Sequence, residues 1–357
     1  MNAESASLRE SFRFTGIGSL PAALGFNSDS RTFAATLFHE RSVELAAGLP
    51  YLAEAPDRGV GADMIGRTLA MAAGIDRDFA ASLGPSGWRR SAPGQDMESA
   101  AGILSADVDA FCAVITGLGE PVKMQVAGPF TTASMLEGAN GERMISDRTF
   151  VVDLATVIAE ASAQIAEAIR RLSGVPKVIV QVDEPMLPQV VGGKVPTASG
   201  LHRHRAVSAA EATALLSTTV AGIGADVWVH CCAGDAPVEV MRGSGARGIS
   251  IDIRAVSPDV LDVLGEAVDA GLDLVLGVLH PEQWGLPARQ LESVALAAAD
   301  RLRVRLGFDE QTWLERTVLT PSCGLAGASA VQARAVMHAL QTASASLAGG
   351  TIGDIDM

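Results

Sequence analysis

The chain has 357 residues, of which 48% are hydrophobic and 19% are charged, and its formal net charge is −14. This apolar content is enough for a large core and argues against general disorder. The acidic balance argues against a basic nucleic-acid-binding face, so we predict no nucleic-acid partner. The length fits two domains or one large α/β barrel of about 250 residues or more.

The N-terminal sequence and the cysteine content bear on the location of the protein. Residues 1–16 lack the apolar segment of a secretory signal. No uninterrupted apolar run reaches the roughly 18 residues expected of a membrane span. Four cysteines in a chain of this length do not resemble a disulfide framework. We therefore predict a cytoplasmic protein with reduced thiols, no membrane association and a flexible N-terminus at residues 1–11.

Eight short apolar segments alternate with helical segments along the chain. Their hydrophobicity is continuous rather than alternating, which is typical of strands buried on both faces of a parallel sheet. The predicted strands are residues 12–19, 49–54, 122–129, 177–185, 225–231, 247–253, 272–279 and 316–324.

Helices are predicted where apolar residues repeat at helical spacing between capping signals. Residues 146–174 follow a Ser/Asp cap and end with two arginines and a glycine. Residues 208–224 begin with a Ser-x-x-Glu capping box and also stop at a glycine. Residues 257–271 and 328–350 show the same pattern.

Eight strands alternating with helices favour an α/β fold, a (β/α)8 TIM barrel that forms a single domain over residues 1–357. The connections at residues 55–110 and 186–206 are long enough to be lids or binding loops. An open doubly wound sheet is the alternative, because a strand count from one sequence can miss one or two strands. In a barrel, functional residues are expected at the C-terminal ends of the strands.

Potential metal ligands follow three of the predicted strands. The fifth strand ends in His230, Cys231 and Cys232, the sixth in Asp252, and the eighth carries Cys323 near its end. Residues i and i+2 of an extended segment point to the same side, so His230 and Cys232 can face one ion while Cys231 points away. Together with Cys323 they form a donor set suited to Zn²⁺, and Asp252 or a substrate atom can take the fourth position.

A buried core is the alternative interpretation of these cysteines. Free cysteine is among the most buried residue types, and an isolated His-Cys-Cys triplet is more often core than ligand. Cys323, beside a Gly-Leu-Ala-Gly turn at another strand end, strengthens the metal interpretation. Cys112 lies in a helix-like run and is predicted to be core. The residues by themselves leave both interpretations of the triplet open.

Five motifs resemble, in the same order, those of the cobalamin-independent methionine synthase family. They are "TGIGSLP" (15–21), "VQVDEPML" (180–187), "VHCCAG" (229–234), "ISID" (249–252) and "LTPSCGL" (319–325). The resemblance is to the catalytic barrel of the family, in a short core form without the additional N-terminal barrel of longer members. It implies the (β/α)8 fold that the family shares with uroporphyrinogen decarboxylases.

The resemblance implies a zinc cofactor held by His230, Cys232 and Cys323, with Asp252 at the position of the family's glutamate ligand. Aspartate keeps the charge but is one methylene shorter than glutamate. The resemblance therefore implies either that Asp252 is the fourth ligand or that water or substrate replaces it.

The resemblance also implies a homocysteine site formed by Ile17, Ser19, Glu54 and Asp183. An ordinary carboxylate at a strand end is the alternative interpretation of Glu54. Glu184, which follows Asp183, is expected either to support the site or to have a structural role.

The sequence differs from the family at two places that would contact the methyl donor. The family's catalytic histidine has its nearest counterpart in His280, which comes two positions early in "LGVLHPEQW" (276–284). His280 is therefore either the functional equivalent or a loop histidine. In addition, residues 127–138 lack the family's folate-stacking tryptophan.

The function implied is a zinc-dependent methyltransferase that converts homocysteine to methionine, with 5-methyltetrahydrofolate, as its polyglutamate, as the donor. One alternative is methyl transfer to homocysteine or another thiol from a corrinoid protein or another non-folate donor. A zinc- or thiol-binding protein without turnover is a second alternative. Tetrapyrrole decarboxylation fits least, because that reaction needs no zinc held by thiolates.

Overall fold

The computed structural model describes residues 14–21 and 48–348. The predicted flexible N-terminus at residues 1–11 lies outside the described residues. So do residues 12–13 of the first predicted strand and the last two residues of the helix predicted at 328–350.

A six-stranded parallel sheet follows a two-stranded antiparallel hairpin in the chain. The hairpin consists of β1 (Ala81–Gly84) and β2 (Gly87–Arg90). The strands of the parallel sheet are β3 (Val122–Ala127), β4 (Val178–Asp183), β5 (Asp226–Cys231), β6 (Gly248–Asp252), β7 (Asp273–Leu279) and β8 (Thr317–Pro321). They are neighbours in chain order, so every connection is a crossover between adjacent parallel strands. The last six predicted strands are therefore confirmed.

Eleven α-helices lie between and around these strands in the described part of the chain. They are α1 (Met64–Ile75), α2 (Gln95–Ile115), α3 (Pro129–Met135), α4 (Arg148–Ser173), α5 (Leu187–Val191), α6 (Ala209–Ile223), α7 (Val238–Gly243), α8 (Pro258–Asp269), α9 (Ala288–Leu306), α10 (Glu310–Arg316) and α11 (Ala330–Ala348).

The capping signals begin and end helices α4 and α6 close to where the sequence predicts. The Asp147 side chain accepts a hydrogen bond from the Phe150 backbone N–H at the start of α4. Gly174 ends α4 with a φ of 74°, a conformation that residues with a side chain rarely adopt. Ser208 and Glu211 form the reciprocal bonds of a capping box at the start of α6.

Helix α4 is long and apolar enough to cross a membrane by length and composition alone. Half of its most apolar window is buried inside the fold, and its buried residues, Leu154 and Ile158 among them, belong to the main core. Packing against the rest of the fold thus accounts for its apolar character.

The segment predicted as a long loop at residues 55–110 is regular structure instead. It contains α1, the hairpin β1–β2 and most of α2. Cys112 lies in α2 and is buried, as predicted for a core cysteine. Residues 186–206 hold only the short helix α5 and a turn in which Pro196 bridges Arg203, so most of that connection is irregular.

Two extended segments, residues 14–20 and 49–54, occupy the places of the first and second predicted strands. Thr15 N donates to Leu319 O of β8 at 3.0 Å, and Leu52 N donates to Lys123 O of β3 at 2.8 Å. The two segments also bond to each other, because Leu20 N donates to Glu54 O at 2.7 Å. They therefore lie between the two edge strands of the curled sheet, joined by isolated bridges rather than regular ladders.

The inner face of the sheet carries an apolar layer of its own, separate from the main core. It consists of Leu49, Ile179, Trp228, Val275 and Val318, all buried. These residues come from five different extended segments and meet on one face. The space enclosed by the sheet is thus a packed interior at this level and not a pore.

Candidate active site

Polar side chains continue this inner face towards the C-terminal ends of the strands. Gln181 and Asp183 follow Ile179 at steps of two along β4, and His230 follows Trp228 in the same way along β5. Because side chains alternate across a strand, all three share the face of the apolar layer. Asp183 and His230 are direct partners in the β4–β5 pairing. The C-terminal ends of these strands therefore form the candidate site.

The thiols of Cys232 and Cys323, which follow β5 and β8, lie close enough to interact. Donation from the Cys232 S–H towards Cys323 raises the pKa of Cys232 and lowers the pKa of Cys323 to about 7. Burial opposes the shift at Cys323, and the Gly324 backbone N–H supports it. The structure therefore brings together the two cysteines that the sequence predicts to share an ion.

His230 is held as a neutral imidazole beside this pair. Burial, and then the charge of Lys123, lower the pKa of His230 to about 3. Its Nδ1 lies 2.9 Å from the Oγ of Ser250, its partner in the β5–β6 pairing. Neutral imidazole is the form that ligates metals, and a bond at one ring nitrogen orients the other.

Cys231 points away from the site, as strand alternation predicts. Its side chain is fully buried in the main core. Burial raises the pKa of Cys231 to about 12, so it is a thiol at any ordinary pH.

Zinc fits this donor set by chemistry. Within the described residues, no group of three or more His, Cys, Asp and Glu side chains is arranged to hold a metal ion. One neutral imidazole and two adjacent thiols, one with a pKa of about 7, are nonetheless the donors that zinc takes from proteins. A zinc centre at His230, Cys232 and Cys323 stays a prediction.

Asp252, at the end of β6, contacts other side chains of the protein with both oxygens. Its Oδ1 accepts from the Arg254 backbone N–H at 2.7 Å, and its Oδ2 lies 2.9 Å from an Arg254 guanidinium nitrogen. His280, at the end of β7, places Nδ1 at 3.2 Å from the same Oδ2. Burial would raise the pKa of Asp252, but His280 and Arg254 outweigh it and hold the pKa below its usual value. The ligand role of Asp252 and the catalytic role of His280 both stay predictions.

A buried lysine lies among the residues predicted to bind substrate. Lys123 is fully buried on β3, and its Nζ donates to Ile17 O at 2.8 Å. Burial lowers the pKa of Lys123 to about 8, against the attraction of Asp183 and Glu54. Burial likewise raises the pKa of Asp183 well above its usual value, although the Lys123 charge opposes that shift. The carboxylates of Asp183 and Glu54 thus both act electrostatically on the Lys123 ammonium group.

Two paired glutamines connect these groups. Gln125 and Gln181 are direct partners in the β3–β4 pairing. Nε2 of Gln125 donates to Glu54 at 2.8 Å, and Nε2 of Gln181 donates to Asp183 at 2.7 Å and to Ile17 O at 2.9 Å. The Oε1 atoms of both glutamines are buried without a hydrogen-bond partner in the described part. The candidate site therefore has two unpartnered acceptors.

Ser19 completes this group of predicted residues. It bridges Glu54, and its carbonyl accepts from Leu325 N at 2.8 Å. A Cβ on Gly324 would lie 2.1 Å from Ser19 Oγ, so a side chain at position 324 would displace the Ser19 hydroxyl. The structure thus brings Ile17, Ser19, Glu54 and Asp183 together and places the segment carrying Cys323 against them.

Ion pairs connect Glu54 to the helices that precede β3. Arg67 of α1 places Nε at 3.5 Å from Glu54 Oε1. Asp107 of α2, which is fully buried, in turn pairs with Arg67 and with Arg58. The helical insertion between the second segment and β3 is therefore tied to the candidate site by charge.

Glu184 has a structural role in the described structure. It is fully buried and accepts hydrogen bonds from the backbone N–H groups of Phe130 and Thr131 at the start of α3. A Cβ on Gly128 would lie 2.2 Å from its Oε1, so glycine is required there. Burial raises the pKa of Glu184 to about 7, although these hydrogen bonds oppose the shift.

Sequence reasoning missed several side chains of the site, namely Lys123, Gln125, Gln181, Arg67 and Asp107. The first three carry a readable signal, because polar residues at steps of two in an otherwise apolar buried strand must share one face. Arg67 and Asp107 carry none, because they lie on helices whose position follows only from tertiary packing.

Comparison with known proteins agrees with this architecture. The family model described as "Cobalamin-independent synthase, Catalytic domain" matches residues 96–346. Among solved structures, the chain is similar to a B12-independent methionine synthase from Shewanella sp. W3-18-1 in complex with selenomethionine, at 13% identity and a TM-score of 0.61. That alignment covers 95% of this chain and 98% of the other, and at this identity it shows a shared fold. No curated protein sequence matches the chain.

Proposed function

This chain belongs to the cobalamin-independent methionine synthase family, and we propose from that premise that it transfers a methyl group to the thiol of homocysteine, forming methionine. The observation that carries the proposal is the contact between the Cys232 and Cys323 thiols beside the buried carboxylate of Asp183. The two thiols can bind a metal ion that holds the thiol of the substrate, and the carboxylate can bind its ammonium group. An amino acid with a thiol side chain has both groups.

We propose zinc as the cofactor, held by His230, Cys232 and Cys323. Bound zinc deprotonates a coordinated thiol at neutral pH and so presents the acceptor as a thiolate. The protein supports this with a neutral His230, oriented by Ser250, and with a Cys323 thiol whose pKa of about 7 favours the ligand form.

The carboxylates of Glu54 and Asp183 would bind the ammonium group of homocysteine by charge-assisted hydrogen bonds. The unpartnered Oε1 atoms of Gln125 and Gln181 support this assignment, because an ammonium group brings donors to a pocket with spare acceptors. The backbone near Ile17 and Ser19 would complete the contacts to the amino acid.

We propose 5-methyltetrahydrofolate as the donor. In the reaction the thiolate sulfur bonds to the methyl carbon, the bond from that carbon to the donor nitrogen breaks, and the nitrogen takes up a proton. His280, buried at the end of β7, is our candidate for the acid that delivers this proton.

We also propose that residues 14–20 and 49–54 are the first and second strands of a closed (β/α)8 barrel. Their hydrogen bonds to β8 and β3 support closure, and so does the interior layer drawn from five segments. All four cysteines are free, which supports a reducing compartment such as the cytoplasm.

The test combines metal analysis with turnover. Purified protein is analysed for zinc and then given homocysteine with methyltetrahydrofolate, its triglutamate or methylcobalamin in separate reactions. We expect one zinc per chain, methionine formation with the folate donors, and loss of both zinc and turnover in Cys232→Ser and Cys323→Ser. Cys112→Ser, in the core of α2, is the control and should retain both.

Three results would redirect or overturn the proposal. Turnover with methylcobalamin alone would favour a corrinoid donor. Tight zinc without methyl transfer from any donor would favour a binding protein without turnover. Stoichiometric zinc and full activity in both the Cys232 and Cys323 variants would remove the thiol pair from the chemistry.

A further inference from the structure

Asp252 and His280 form a pair at the ends of the neighbouring strands β6 and β7. Oδ2 of Asp252 lies 3.2 Å from His280 Nδ1, and both side chains are less than a tenth exposed. Nδ1 is buried and forms no hydrogen bond within the described residues, so its polar neighbour is the Asp252 carboxylate at ion-pair distance. The backbone N–H of His280 is held in addition by Gln283 Oε1 at 2.9 Å. Gln283 therefore fixes the backbone at His280, and Asp252 lies beside the ring.

The remaining contacts of Asp252 are made by Arg254. The guanidinium Nε lies 3.3 Å from Oδ1 and 3.2 Å from Oδ2, and a terminal nitrogen lies 2.9 Å from Oδ2. The Arg254 backbone N–H donates to Oδ1 as the chain enters a short 3-10 helix, Ile253–Ala255. Both carboxylate oxygens are thus occupied by groups of the protein.

These contacts bear on the fourth position of the proposed zinc site. A carboxylate that ligates zinc presents a free oxygen at about 2.0–2.2 Å from the metal. To do so, Asp252 would have to give up its hydrogen bonds to Arg254 and its ion-pair contact with the Nδ1 of His280.

We infer that Asp252 is a positioning residue for His280 and not a zinc ligand, so that His230, Cys232 and Cys323 are the complete protein ligand set. This inference rests on the proposed function for its reaction, whereas the pairing itself is a property of the chain. The fourth metal position is then left for the thiol of the acceptor, as in catalytic rather than structural zinc sites.

The pair performs a definable task in the methyl transfer. A carboxylate at Nδ1 keeps a proton on that nitrogen, which directs Nε2 towards proton exchange. In its protonated form the ring gives the Nε2 proton to the departing donor nitrogen as the methyl group joins the sulfur. The ring then returns to its neutral form, and the next proton comes from solvent. Asp252 stabilises the charged ring before transfer and holds its orientation throughout.

The deciding experiment compares Asp252→Asn, His280→Gln and the double variant, each as the full chain. We expect Asp252→Asn to retain wild-type zinc content and a KM for homocysteine within about threefold of wild type, with kcat lowered about 100-fold. The double variant should be no slower than His280→Gln, because two residues that act as a unit do not lose activity additively. Glu282→Gln, which removes the exposed carboxylate that also contacts Arg254, is the control and should resemble wild type.

A second measurement tests the pairing of Asp252 and His280 without relying on methyl transfer. Nitrogen-15 NMR of the histidine rings, with His280 assigned by its absence in His280→Gln, should show the neutral-ring proton on Nδ1 in wild type. Asp252→Asn should move much of that proton to Nε2. Failure of wild type to methylate homocysteine would overturn the proposed function and leave this readout intact. Loss of zinc in Asp252→Asn, additive kinetic losses, or an unchanged His280 tautomer would each overturn the inference.

Discussion

Cys231, Cys232 and Cys323 lie in one corner of the molecule, yet their surroundings give them different acidities. Cys231 is enclosed by apolar side chains, which raise its pKa to about 12. Cys323 accepts a hydrogen bond from Cys232, which lowers its pKa to about 7. The difference is one of contacts and not of residue type, since thiolate character depends on local polarity.

Alkylation should reveal this difference. In metal-free protein we expect iodoacetamide to modify Cys323 first, at a rate that rises with pH around 7, while the buried Cys112 and Cys231 stay unmodified in the folded state. Cys232→Ala removes the donor and should move the pH midpoint of Cys323 upward. Peptide mapping by mass spectrometry gives the rates. Equal modification of Cys231 and Cys323 would contradict the assignment.

Glu184 should make stability depend on pH. Its pKa in the folded protein is about 7, above the ordinary value of 4.5, because burial disfavours the charge. The protonated carboxyl therefore stabilises the fold at low pH, fully below pH 4.5, and this contribution is lost as pH rises through about 7. From about pH 5 to about pH 8 the loss is about 2 kcal/mol, at about 1.4 kcal/mol per pKa unit.

Denaturant unfolding of Glu184→Gln at several pH values tests whether the Glu184 carboxyl stabilises the fold at low pH and less so as pH rises. The variant should be less stable than wild type at low pH, since an amide cannot accept both backbone N–H bonds of α3, and the gap should narrow as pH rises. An exposed control, Glu98→Gln, should follow the wild-type pH profile. A gap that widens with pH would show that the folded pKa is lowered instead.

At the scale of elements, the helical insertion depends on one buried carboxylate. Asp107 of α2 accepts from Arg58 at 2.8 Å and pairs with Arg67 of α1, and its side chain is fully buried. Removing one member of a buried ion pair leaves charge without a partner in the interior. The position of α1 against α2, and of Arg67 beside Glu54, follows from this cluster.

Asp107→Ala should therefore lower the free energy of unfolding by about 3 kcal/mol or more. Asp109→Ala, which removes an exposed carboxylate from the same helix, should change it by no more than about 0.5 kcal/mol. Urea denaturation of both variants gives the comparison. If both variants lose the same free energy of unfolding, the ion pairs of Asp107 do not stabilise α2, and its apolar contacts alone do.

Local signals predicted most of the elements but not this insertion. Strands β3–β8 follow from continuous apolar runs, and α4 and α6 from their caps. Helix α2, by contrast, starts at Gly94 without a side-chain cap. Strands β1 and β2 have four residues each, too short for a periodicity to be read. Their formation depends on contacts with the rest of the fold.

At the scale of the whole molecule, the two segments at residues 14–20 and 49–54 carry the proposed closure of the barrel. Their amides donate to β3, to β8 and to each other, as Leu52 N does to Lys123 O at 2.8 Å. Closure removes the exposed edges that a six-stranded sheet would otherwise present. It also brings Ser19 against Gly324, next to Cys323.

Native-state hydrogen exchange tests this closure. We expect the amides of Thr15, Leu20, Leu52 and Glu54 to exchange as slowly as those of β4 and β5, because a closed barrel opens only in a large cooperative unit. Mass spectrometry of protected peptides gives the rates. The sheet would instead be an open half-barrel if the amides of the two segments exchange as fast as those of exposed loops while β4 and β5 stay protected.

The sequence by itself determined the α/β alternation, the helix ends and the chemical type of the residues at each strand end, because periodicity and capping are properties of neighbouring residues. The pairing of Asp252 with His280, the contact of Lys123 with the carbonyl of Ile17, and the junction of Arg67 with Glu54 were decided by tertiary structure alone. Each joins residues from separate elements, and such contacts depend on strand register and on how distant segments pack. No local pattern in the chain specifies which distant residues will meet.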